Sequence, residues 1–78
     1  MLRAPAGDGG RLAERLGTLT AREREVMDLA LKGLPSKVIA KELGISHRTV
    51  ELHRSRLLEK LGVSSVTELM RLAYDRRA

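Results

Sequence analysis

The 78-residue sequence has no cysteine, no phenylalanine and no tryptophan, and its one aromatic residue is Tyr74. Without cysteine there is no disulfide framework, no thiolate metal site and no thiol redox chemistry. So few aromatics argue against single-strand nucleic-acid modules, which stack bases on Phe, Tyr or Trp. No apolar run approaches the roughly 18 residues needed to cross a bilayer, and Met1-Leu2-Arg3-Ala4-Pro5 lacks the form of a signal peptide. A chain of this length buries only about 60–65% of its unfolded surface, which leaves no room for an enclosed multi-residue active site. The expectation is one small cytoplasmic domain.

What is present is leucine and positive charge. Fourteen leucines make the core aliphatic, and leucine favours helix, whereas the β-branched and aromatic residues that favour strands are scarce. Lys and Arg number 15 against 10 Asp and Glu, a net charge of +5 that suits a polyanionic partner. Double-stranded DNA, read by helices and phosphate contacts, fits that balance. The fold class expected is all-α.

Residues 1–10 hold three of the seven glycines and read as a flexible leader, with too little apolar surface to offset the entropy of ordering. Leu12, Leu16 and Leu19 are spaced for a short helix that Gly17 interrupts, so residues 1–18 form a leader that is in part helical. The domain proper spans 19–78. Thr20-Ala21-Arg22-Glu23 fits a capping box, with Glu23 and Glu25 in the first turn suiting the positive end of the helix dipole. Val26, Leu29 and Ala30 make the inward stripe, flanked by Met27 and Leu31, and Gly33 is a stop signal. Pro35 opens a short second helix at its first position, with Val38, Ile39 and Leu43 inward and Gly44 at its end. Ser46 caps a third helix to about Leu61, with Val50, Leu57 and Leu61 on one arc. After Gly62, Ser64 or Ser65 caps a fourth helix whose inward stripe is Val66, Leu69, Leu72 and Ala73.

Ala40, Gly44 and Val50 stand at the offsets of a helix-turn-helix. That motif needs a small residue where two helices approach, a turn residue tolerant of positive φ, and an apolar residue that locks the second helix on the first. The longer string is Leu19-Thr20-x-Arg22-Glu23-x-Glu25-Val26, then Gly33, Lys37-x-Ile39-Ala40, Leu43-x-Ile45-Ser46, Thr49-Val50-x-x-His53 and Lys60-Leu61-Gly62-Val63. Over about residues 19–74 it resembles the DNA-binding domain of LuxR/FixJ-type regulators, and within them the response-regulator branch. The resemblance implies a four-helix domain at the C-terminus of a two-component response regulator, behind a receiver domain. Its third helix would enter the major groove, and its last helix would form a dimer contact. Two positions depart from the pattern: Glu51 stands where lysine is common, and Pro35 replaces the common polar cap of the second helix.

The resemblance places base-edge contacts at Glu51, Leu52 and Ser55, and Arg48 shares that outward arc with Arg56 and Glu59. Glu51 would accept from a cytosine amine, Leu52 would pack on a thymine methyl, and Ser55 would bond to a base edge or phosphate. The alternative is that Glu51 is a solvated helix residue beside Arg48 or Arg54. Phosphate candidates are Lys37, Arg48, Thr49, His53, Arg54, Arg56 and Lys60. On the last helix, Met70 and Tyr74 sit i, i+4 beside Thr67 and Arg71. These four form either a self-complementary dimer patch or plain cover for the core edge. One helix pair buries little area, so the homodimer would be weak and reinforced by DNA, an inverted repeat. RNA polymerase is a further partner in view.

No metal, cofactor or catalysis is expected. His47 and His53 lie about 240° apart around one helix and cannot share an ion. No glycine-rich loop feeds a helix, and no nucleophile sits in a pocket. Two competing readings remain. One is promoter recognition like that of sigma-factor region 4. The other is a helix-turn-helix interaction module without DNA binding, suggested by a recognition helix that nets only +2.

Overall fold

Thr20 begins the first long helix by local chemistry. Its hydroxyl accepts from the Glu23 amide at 3.1 Å, and the Glu23 carboxylate accepts from the Thr20 amide at 2.9 Å, so both halves of the capping box are present. The computed structural model describes residues 12–77, with side chains as far as Ala73. The expected flexible leader over 1–10 and the side chain of Tyr74 lie outside the described residues. Residues 12–16 form a short helix, α1. It is followed by α2 (Ala21–Leu31), α3 (Ser36–Leu43), α4 (His47–Leu61) and α5 (Val66–Arg77). Among the described residues there is no strand, so the all-α expectation holds, with one helix more than the four counted in the domain.

The turns follow the residues that build them. Gly44 ends α3 at φ 68°, a left-handed conformation that costs a side-chain-bearing residue free energy, and the Ile45 amide then bonds back to the Ala40 carbonyl at 3.0 Å. Ser46 caps α4 by accepting from the Thr49 amide at 3.0 Å. At α5 the two serines divide the work. Ser65 accepts from the Glu68 amide, while Glu68 accepts from both the amide and the hydroxyl of Ser64. The Ser64 amide and hydroxyl hold the Glu68 carboxyl below its ordinary value.

α4 packs on both α2 and α3, and α5 rests on α2. Val26, Ile39, Val50, Leu57 and Leu61 are completely or almost completely buried, each contributing about 1.5–3 kcal/mol by leaving water. Leu12 of α1 belongs to the same core, with Leu16 and Leu19 packed against it. The short helix is thus a working part of the domain.

Several inward faces differ from expectation. Val38 is 37% exposed, and the inner face of α3 is Ser36, Ile39 and Ala40 with Leu43 half-buried. Val38 lies about 100° to one side of Ile39, while these residues lie to the other. The small Ser36 and Ala40 let the neighbouring helices come close. Leu72 is 40% exposed for the same kind of reason, because Val66, Leu69 and Ala73 share one side of α5 and Leu72 falls outside that arc. Met27 is buried rather than flanking. Pro35 occupies the N-cap in an extended conformation (ψ 159°), one position before the helix. Glu25 lies beyond the first turn of α2 and pairs with Arg22 at 3.1 Å.

The largest difference concerns Lys60. Expected at a DNA phosphate, it donates within the chain to Glu23 at 2.8 Å and to the Thr18 carbonyl at 3.2 Å. Glu23 is buried, and an unpaired carboxylate there would be costly, so the ammonium is held by the fold. Burial pushes the Glu23 carboxyl up, but the Lys60 ammonium and the Thr20 donors outweigh it and hold the group below its ordinary value of 4.5.

A carboxyl with a lowered folded value stabilises the fold fully above its unfolded value, and that stabilisation is lost as pH falls through the lower, folded one. Urea unfolding at neutral pH and below about pH 4 is therefore expected to show stability falling with acid. Glu23→Gln should lose about 1–3 kcal/mol at neutral pH and show a shallower acid decline. Equal declines in the two proteins would contradict the assignment.

Candidate nucleic-acid interface

The surface is built outward from one locked residue. Val50 is completely buried beneath α4, with Leu57 and Leu61 on the same side. With the inner arc taken, Arg48, Glu51, Leu52, Ser55, Arg56 and Glu59 are exposed, while Thr49, His53 and Arg54 are half-buried at the flanks. Ala40 is buried at the approach of α3, and Gly44 takes the positive φ that the turn requires. The three helix-turn-helix positions therefore behave as their spacing implied.

Within this face, Leu52 is 48% exposed, a large apolar side chain among charged and polar neighbours. Folding gains little from it there. Glu51 stands beside His47, with Oε2 3.7 Å from Nε2, rather than beside Arg48 or Arg54. Both groups are more than half exposed, so the pair adds little stability. His47 was not among the expected site residues, although the i, i+4 spacing from His47 to Glu51 was there to be read.

At the start of α4 the Thr49 hydroxyl lies 2.8 Å from that of Ser46, which ties its side chain to the cap. The Nδ1 atom of His53 is buried without a hydrogen-bond partner, leaving Nε2 as the nitrogen able to serve an outside group. Lys37 is exposed on the first turn of α3. The N-cap of that helix, Pro35, has no side-chain acceptor, so the first amides of α3 receive no side-chain partner from it. The sequence already marked this position, where Pro35 stands in place of a polar cap. Lys60, held by Glu23 and Thr18, stands apart from this set.

On α5, Thr67, Met70 and Arg71 are exposed, Met70 at 38%, and Leu72 adds apolar surface. Elsewhere, Glu25, Asp28 and Glu42 with Leu29 and Leu43 line an open depression between α2 and α3 to which no residue of α4 contributes. Among the described residues no three His, Asp or Glu side chains gather as a metal site, and no helix is long and apolar enough to cross a membrane.

Residues 17–73 match the family model described as bacterial regulatory proteins, luxR family. The chain is similar to the transcriptional regulatory protein FixJ of Rhizobium meliloti, 43% identical over 70 residues that cover 90% of this chain and 34% of that protein. It is also similar to the transcriptional regulatory protein UhpA of Escherichia coli, 49% identical over 61 residues, 78% of this chain and 31% of that protein. Among solved structures, the response regulator StyR superposes with a TM-score of 0.80 at 39% identity, covering 86% of this chain and 34% of that one. The chain thus spans about a third of the length of these relatives. A turn built on Ala40, Gly44 and Val50, a helix bare on its outer face and a family match over nearly all the described residues lead to one conclusion: the chain belongs to the luxR family of bacterial regulatory proteins and is its helix-turn-helix DNA-binding domain, of the kind found in response regulators.

Proposed function

We propose that α4 enters the major groove of duplex DNA and that Arg48, Glu51, Leu52 and Ser55 meet base edges there. The observation that carries this reading is Leu52, an apolar side chain held in water on the outermost arc of α4. A thymine methyl is the groove's apolar feature, and packing against it would recover the burial that the fold forgoes. Glu51 accepts from a cytosine amine. As an anion it repels phosphates, so it gains only when a base donor meets it. Thr49, His53 through Nε2, Arg54, Arg56 and Lys37 bond to the phosphates on either side, Lys37 together with the open amides at the start of α3.

Two copies join through α5, with Thr67, Met70, Arg71 and Tyr74 on the contact, and the operator is an inverted repeat. One helix pair buries less than the roughly 1,200 Å² of a stable interface, so the free dimer is weak and DNA reinforces it. The whole protein acts in the cytoplasm as a two-component response regulator. A receiver domain ahead of this one governs access to DNA, and RNA polymerase is a partner at the promoter. The luxR-family match over residues 17–73 sets aside the sigma region 4 reading.

A mobility shift whose affinity falls steeply with salt supports this function, and no shift at low salt would leave a protein-interaction module in its place. Three variants test the assignments. In a randomised-library selection, Glu51→Ala should relax preference at one base position by about 1–3 kcal/mol and leave the others intact. Arg56→Ala should weaken all duplexes alike and flatten the salt slope by about one unit. Met70→Glu should abolish cooperative binding to paired half-sites while half-site affinity and thermal stability stay unchanged, as read by titration and melting. Retained cooperativity would move the dimer contact off α5.

A further inference from the structure

The end of α4 opposite its cap is held by a part of the chain that lies outside the helix-turn-helix. Arg15, on α1, donates through Nη1 to the carbonyl of Leu61 at 3.1 Å, across 46 residues of sequence. Leu61 closes α4, where the last carbonyls have no partner within the helix. The next residue, Gly62, takes φ 72°, and a Cβ placed there would overlap the Arg15 guanidinium. Gly62 is therefore both a left-handed stop and the seat on which the guanidinium rests.

The attachment is reciprocal. Two carbonyls at the end of α1 and in the turn after it accept from cations of other helices. Arg24 of α2 donates to Leu16 at 2.8 Å, and Lys60 of α4 donates to Thr18 at 3.2 Å while also bonding to Glu23. Leu12 of the same helix sits in the core. Residues 12–18 and the last turn of α4 thus cap one another, over a buried apolar anchor.

We infer that Arg15 is a positioning residue for DNA recognition: through Leu61 and Gly62 it sets the final turn of α4, and so acts on DNA affinity without touching DNA. The inference rests on the reading of α4 as the groove-entering helix. Displacing α1 from the core would lift Leu12 and Arg15 together. The last turn of α4 would then lose its cap, and Lys60 would lose one of its two acceptors.

The test uses the 78-residue chain and a duplex chosen by selection. Arg15→Ala should weaken binding about three- to tenfold with the salt slope unchanged, because no phosphate contact is lost. It should also speed amide exchange at Val63, which bonds to the Leu58 carbonyl at 3.1 Å, by about tenfold. Arg15→Lys should restore part of both.

Gly62→Asn should reproduce the two effects, since Asn tolerates the left-handed conformation while its Cβ displaces the guanidinium. Gly44→Asn supplies the control for exchange: Gly44 has nearly the same backbone conformation, and a Cβ there meets nothing within 4 Å. In the Arg15→Ala background, Gly62→Asn should add no more than that control shows. A slope lowered by one unit would make Arg15 a phosphate contact and overturn the inference. Unchanged affinity with faster exchange, or full additivity of the two substitutions, would overturn it as well. Failure of the unaltered chain to bind any duplex would instead remove the function on which the inference stands.

Discussion

The burial of Val50 is the constraint on which the working surface depends. A helix can rotate about its axis until some side chain is forbidden to turn outward, and a completely buried valine in the first turn forbids it. Gly44 and Ser46 fix where α4 begins, and Val50 fixes which way it faces. The outward arc is a remainder: Arg48, Glu51, Leu52 and Ser55 meet the solvent because the opposite arc is already spent on α2 and α3. Recognition chemistry on this scaffold can vary freely so long as the inner residues keep their volume, which is how one fold serves many operators.

A second constraint acts at the other end of the helix. Glu23 closes the cap of α2 with one oxygen, and that same oxygen holds Lys60. A carboxylate this deeply buried would be a liability if unpaired, and Lys60 supplies the pairing charge. The pair makes a fixed joint between the start of α2 and the end of α4. Arg15 and Arg24 extend the joint to the short N-terminal helix. Cations here bond to carbonyl groups at helix ends as well as to carboxylates.

What could be read from the residues divides by distance along the chain. The caps of α2, α4 and α5 were legible because donor and acceptor lie within four residues, as were the stops at Gly44 and Gly62. The turn motif was legible because Ala40, Gly44 and Val50 span only ten residues. Val38 and Leu72 were misplaced because periodicity shows that a helix has an apolar side without showing where its neighbours stand. The pairing of Lys60 with Glu23 was not foreseen because its acceptor is 37 residues away, and a lysine on a basic helix looks the same whether it faces phosphate or a buried carboxylate. Residues 12–16 held a leucine pattern that suggested a helix, but the cations that dock it come from α2 and α4 and leave no local trace. His47 beside Glu51 was readable from spacing and went unread.

The open depression between α2 and α3 has a consequence on a longer scale. Its three carboxylates, Glu25, Asp28 and Glu42, lie on a surface to which α4 does not contribute, in a chain whose overall charge is +5. Such a body is lopsided in an electric field. A polyanion attracts the chain as a whole and repels this patch, so the two forces together turn the depression away from it. Fewer collisions are then wasted on the wrong side, and this steering fades at ionic strengths that shorten the reach of the field.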